Sequence, residues 1–267
     1  MKNRIRPLCE TPRDGIFCGP DKYLTLQEHT ITSEMFPVME YDSYFILVKE
    51  GHGNFVINGE EFFVEPGCVS WIQCSQVLTV CPDFGNNLVL WICPYDYQLL
   101  SYYSFSNIAP TRELEIVNNL PVIGPDGDEV KEIVHLFHQY RKLSKRHSHG
   151  SAIIRSSYLR RIELLYNRFA KSMKSHYKFL PLSRKVSLYI AVHSTTALTC
   201  ADVVKAVAPS ISESALNHAL LVATGLNFNQ YLNRLRIAHA MSYFLYDSLP
   251  FDYISSISGF NMEITFF

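Results

Sequence analysis

Seven cysteines are the residues best suited to hold a metal or move electrons, and their spacing argues against both. Cys9, Cys18, Cys68, Cys74, Cys81, Cys93 and Cys200 are odd in number and include no Cys-x-x-Cys pair. Zinc sites are built from such close pairs, often completed by histidine. Four of the seven fall in segments that alternate like strands. They read as reduced thiols of a cytoplasmic protein. The histidines offer no substitute. His29 and His52 stand far apart with no HxH pattern, and His147 and His149 sit in a basic turn where water suffices. No Ser-His-Asp, phosphate-loop or dinucleotide pattern stands out. The expectation is a binding protein, not an enzyme, with no metal and no cofactor.

What remains is polar side chains on short helices. Val203, Val204 and Val207 share one side of a helix from Ala201 to Ala208. Pro209, Ser210 and Ile211 form a turn. Leu216, Leu220 and Ala223 then recur at helical spacing, with Ser212 as N-cap and Gly225 as stop. This is the helix-turn-helix plan, whose second helix fits a DNA major groove. Short helical hairpins are also ordinary core parts. Further on, Phe228, Tyr231, Leu232, Leu235, Ala238 and Tyr243 put an apolar face on a helix from about Asn227 to Tyr246. Pro250 suits the start of another helix, carrying Ile254 and Ile257 and ending at Gly259.

At Gly225-Leu-Asn-Phe228-Asn-Gln-Tyr231-Leu232-Asn-Arg-Leu-Arg236-Ile237-Ala-His-Ala240, and again at Ile254-Ser-Ser-Ile-Ser-Gly259-Phe260, the sequence resembles the AraC/XylS family of bacterial transcription regulators. The resemblance covers residues 198–267. It implies a DNA reader of two helix-turn-helix units on one connecting helix. By position it implies DNA contacts from Ser212, Ser214, Asn217 and His218 in the first unit, from Arg234 and Arg236, and from Asn261, Glu263 and Thr265 in the second. Asn217 could pair at two points with adenine, and serine or histidine could reach base edges or phosphates. Where the family usually has Arg followed by Phe-Lys, this chain has His218, Leu220 and Leu221, which removes charge that phosphates would attract. Family members continue past the Gly-Phe with a recognition helix, a basic residue, a core Phe and a closing helix. Here Asn261 to Phe267 follow, with Phe266 at the core aromatic position. A helix of that length without partners should fray, so the second unit is expected to be incomplete and loose.

The whole chain has 267 residues and 48% hydrophobic content, which suits one large or two medium cored domains. It has no apolar run of transmembrane length. The net charge of −1 conceals segregation: −11 over residues 1–130, +12 over 131–185 and −2 over 186–267. A basic middle suggests either intramolecular docking or a helix layer facing nucleic acid.

Residues 20–100 alternate like strands. Phe55 to Ile57, Asn58-Gly59 and Glu60 to Val64 form a hairpin with a type I′ turn. Tyr44 to Val48, Cys68 to Cys74 and Asn87 to Cys93 suit buried strands. Gly51-x-Gly53, Asn58-Gly59 and Pro66-Gly67 resemble the cupin-type barrel found ahead of this DNA-binding module. Tyr44, Phe45, Phe55, Phe62, Trp71 and Trp91 could line a ligand cavity or simply fill the core. A connector at 101–110 leads to helices from Asp126 to about Leu143 and from Ser151 to about Met173.

The expected fold is α+β. It comprises a cupin-like β-barrel sensor (1–110), a helical linker or dimerisation region (111–180) and an all-α double helix-turn-helix module with its second unit incomplete (181–267). The resemblance implies a regulator, activator or repressor, that binds double-stranded promoter DNA near the nucleoid. A small-molecule effector, a second copy of the chain and RNA polymerase are the other implied partners; no membrane is. Two alternatives stay open: a truncated relative that dimerises or binds ligand but binds DNA poorly, and a cupin-type enzyme, for which no metal-ligand set is present.

Overall fold

The computed structural model describes residues 25–35, 43–95, 121–144, 149–172, 181–246 and 249–260. Cys9, Cys18, the 101–110 connector, His147 and the segment with Asn261, Glu263, Thr265 and Phe266 lie outside them. The fold is α+β, and the chain divides into two units.

The first unit comprises Met1–Ile57, Glu61–Gln73 and Val77–Lys178. Its strands are β1 (Gln27–Ile31), β2 (Ser43–Glu50), β3 (Gly53–Ile57), β4 (Glu60–Val64), β5 (Val69–Ile72), β6 (Leu78–Pro82), β7 (Leu88–Tyr95) and β8 (Val122–Ile123). They form a five-stranded sheet, β1-β7-β2-β5-β8, and a three-stranded sheet, β4-β3-β6. Period-2 alternation explains the layering. Tyr44, Ile46 and Val48 of β2 and Leu88, Leu90 and Ile92 of β7 point into a core shared with Phe55, Ile57, Val64, Leu78 and Val80 from the smaller sheet.

The intervening residues serve the opposite face. Phe45 meets Trp71 (ring centroids 4.9 Å), Tyr95 (5.1 Å) and Tyr166 (6.0 Å). Tyr166 belongs to α2 (His149–Ser172), which packs with α1 (Asp128–Ser144). Burial on both faces is why β2 and β7 read as unbroken apolar runs. Tyr44, Phe45, Phe55, Trp71 and Trp91 are all at most 3% exposed and act as core. The hairpin turn is as expected: Asn58 (φ 49) and Gly59 (φ 78) are both left-handed, as type I′ requires. One boundary differs. α2 already includes His149 and Gly150, which the sequence reading placed in the basic turn.

The second unit comprises Asn58–Glu60, Cys74–Gln76 and Phe179–Phe267. Its helices are α3 (Leu182–His193), α4 (Cys200–Val207), α5 (Glu213–Thr224), α6 (Phe228–Tyr246) and α7 (Phe251–Ile257). Val186 and Ile190 of α3, Val203 of α4, Leu216 and Leu220 of α5, Tyr231, Leu232 and Leu235 of α6 and Ile254 of α7 are buried. No helix among the described residues is long and apolar enough to cross a membrane.

Candidate nucleic-acid interface

Local chemistry sets each end of the helix-turn-helix. Thr199 and Asp202 form a capping box: the Thr199 hydroxyl accepts from the Asp202 N–H (3.2 Å), and the Asp202 carboxylate accepts from the Thr199 N–H (2.9 Å). The Thr199 hydroxyl also donates to that carboxylate (2.5 Å), and this bond, with the one from the Thr199 N–H, holds the Asp202 pKa below the usual carboxylate range. The Ser212 hydroxyl accepts from the Ala215 N–H (3.1 Å) and starts α5. Gly225 (φ 74) ends it, and its N–H reaches the Leu221 carbonyl. Thr224 then donates to the Leu220 carbonyl (2.7 Å) and accepts from the Leu226 N–H (3.2 Å), which fixes the short link to α6.

The expected contact residues separate into two groups. Ser212, Ser214 and His218 are exposed on α5. Asn217 is not brought to that surface. Its Oδ1 accepts the Phe228 N–H (2.9 Å) at the start of α6, and its Nδ2 lies 3.6 Å from Cys200 Sγ on α4. With both ends of the amide engaged, Asn217 ties three helices together. Its helical spacing left this open, because position 217 borders both the buried and the exposed side.

Arg234 and Arg236 are half-buried on α6. The Arg236 Nε donates to the Ser194 carbonyl (2.9 Å) and its Nη2 to the Thr196 carbonyl (2.8 Å). Burial lowers its pKa somewhat. The same turn receives two further residues. Ser194 Oγ lies 3.1 Å from His239 Nε2 and donates to the Ala191 carbonyl (3.0 Å), so the imidazole is assigned the Nε2–H tautomer here. A Cβ on Gly259 (φ 85) would stand 2.7 Å from the Ser194 carbonyl oxygen. This turn, after a helix the sequence reading did not delimit, is the junction it missed.

The short segments Asn58–Glu60 and Cys74–Gln76 add polar contacts inside this unit. The Tyr231 hydroxyl donates to the Ser75 carbonyl, Asn58 Nδ2 donates to Ser187 Oγ (3.3 Å), and Arg184 pairs with Glu60 (3.4 Å). Burial raises the Tyr231 pKa well above its ordinary value. A Cβ on Gly59 would meet the Ala223 Cα at 2.9 Å. A cavity of about 460 Å³ is lined by Gly59, Leu182 and Ser183 and by His218, Ala219, Val222 and Ala223 of α5.

Several described cations of the basic middle are paired internally. Lys131 pairs with Asp128, Arg141 with Glu28 (3.0 Å), Arg160 with Glu163 (2.6 Å), Arg161 with Glu132 and Arg168 with Glu129 (3.5 Å). Arg141 also lies 4.5 Å over the Trp91 ring, whose Nε1 donates to Glu28 (2.7 Å). That hydrogen bond, with Arg141 and Lys49 beside it, lowers the Glu28 pKa. Among the described residues of the second unit, the exposed cations are Lys185 and Lys205. No cluster of described residues could hold a metal ion.

The chain is similar to solved structures of ToxT from Vibrio cholerae. One is the O395 protein (14% identity, 90% of this chain and 89% of that chain, TM-score 0.38). Another is an apo form from strain SCE256 (13% identity, 89% of both chains, TM-score 0.37). It is also similar to the AraC-like transcriptional activator CuxR (13% identity, 87% and 82% of the two chains, TM-score 0.33). No family model and no curated protein matches it.

Proposed function

We propose that this chain is a DNA-binding transcription regulator of the AraC/XylS type. The observation that carries this reading is the α4–turn–α5 pair. It is capped at both helix starts, closed by a left-handed glycine, and locked to α6 by Asn217. The sequence motifs that resemble the family fall on α6 and at the end of α7, where Arg236 and Gly259 meet one turn. In this reading α5 lies in a major groove, with Ser212, Ser214 and His218 facing the DNA, and α4 crosses the backbone with Lys205. Asn217, Arg234 and Arg236 act from behind as supports. Asn261, Glu263 and Thr265 remain assigned to the second unit by resemblance alone. The β unit serves as sensor of a small-molecule effector, and α1–α2 as the helical dimerisation region of a cytoplasmic, non-enzymatic homodimer that works with RNA polymerase. An effector acts by binding one arrangement of the protein better than another and shifting the population.

The sparse cations favour a second reading alongside the first, a family member whose own hold on DNA is weak and whose ligand or dimer contacts carry its effect. Both are separated by titrating the purified protein onto random duplex DNA across a salt series. Binding whose logarithm falls linearly with the logarithm of salt supports the regulator. Absence of duplex binding at low salt leaves only the second.

A further inference from the structure

We infer that α5 reads thymine methyl groups, an inference that rests on the proposal that this helix enters a major groove. At 3.6 residues per turn, Leu221, Ser214, His218, Val222 and Ala215 fall side by side in one stripe. All five are exposed, opposite the buried Leu216, Leu220 and Thr224. Leu221 is 46% and Val222 72% exposed, a large commitment of aliphatic surface to solvent. The stripe holds two aliphatic chains, one methyl, one hydroxyl and one imidazole, with no lysine, arginine, carboxylate or amide. The single amide of the helix, Asn217, is turned to the start of α6.

Such a stripe is a poor match for phosphates and a good one for the floor of a major groove at T·A pairs. There the thymine C5 methyl is the apolar group on offer, flanked by acceptors and a donor that Ser214 and His218 can meet. Charge complementarity agrees. The exposed cation of this helix pair, Lys205, stands on α4, the helix that crosses the backbone in this arrangement, and Glu213 lies off the stripe. Phosphates are thus met by the first helix, and base edges by the methyl-seeking face of the second.

The test starts from duplexes selected by the full chain out of a random library. Each selected duplex is then made twice, once with thymine and once with uracil, which removes the methyl and keeps the pairing. Selected sites rich in T·A pairs are expected, with binding about fourfold weaker for each contacted methyl lost. The double variant L221S/V222S, altered only at exposed positions, is expected to bind both versions alike. Equal binding of thymine and uracil duplexes by the unaltered protein, with sequence selection intact, would overturn the inference and leave the regulator standing. Failure to bind any duplex at low salt would overturn both.

Discussion

Arg236 and Gly259 meet at the same oxygen. The guanidinium of one donates to the Ser194 carbonyl at 2.9 Å, and a side chain on the other would stand 2.7 Å from that atom. The Arg-Ile and Gly-Phe motifs therefore have a joint physical meaning. One clamps the 194–196 turn, and the other leaves room for it beneath the end of α7.

Arg236→Gln should destabilise the helical unit by about 2 kcal/mol, because a charged donor to two carbonyls is lost. Denaturant unfolding measures this. The salt slope of DNA binding should stay unchanged, since the charge is used internally. A slope reduced by about one would place Arg236 on a phosphate instead.

Gly259→Ala should cost about 2–4 kcal/mol, combining a left-handed backbone with overlap against a carbonyl that has no room to move. Ala at Gly85, which is also left-handed but has open space around it, should cost only the backbone part. Thermal unfolding of the two variants checks the difference.

Asn217→Ala should lower stability by about 1 kcal/mol through loss of the cap on the Phe228 N–H. DNA affinity should fall equally on all sequences. A loss confined to one base pair would return Asn217 to the groove.

His218→Arg should strengthen binding to random duplex and steepen its salt slope by about one, because it adds a cation on the exposed stripe. An unchanged slope would show that α5 does not lie against the duplex at this position, since an arginine there is long enough to reach the phosphates that edge the groove.

Glu28→Gln should flatten the acid limb of the stability curve. The folded-state pKa of Glu28 is depressed, so its contribution is complete above the unfolded value and lost as pH falls through the folded one. Unfolding curves of both proteins should diverge above the ordinary glutamate range and converge below it.

Much of this was legible because the signals are local. Asn58-Gly59 demands a type I′ turn whatever surrounds it, and Ser212 and Gly225 bound α5 through contacts within a few residues. The apolar runs of β2 and β7 announced burial on two faces. What was not legible depends on partners brought together by folding, or on a helix without local punctuation. The basic segment left docking and a nucleic-acid face both open because the carboxylates at Glu28, Glu129 and Glu132 are brought to it by folding. The engagement of Asn217 was not legible because its hydrogen-bond partners at Phe228 and Cys200 come from other helices. α3 escaped delimitation because it starts at Pro181 with no side-chain cap and buries Arg184 and Ser187 among its apolar residues, which blurs the periodicity.

The paired arginines of α1 and α2 also bear on how fast the proposed regulator would find DNA. A field strong enough to steer a protein toward DNA needs uncompensated charge of one sign, and Arg141, Arg160, Arg161 and Arg168 of these helices are matched at close range by carboxylates. Those four arginines would then add little to long-range attraction, and lowering the ionic strength would speed association little on their account. Residence time, set by the fit of α5 rather than by attraction from a distance, would decide which sites stay occupied.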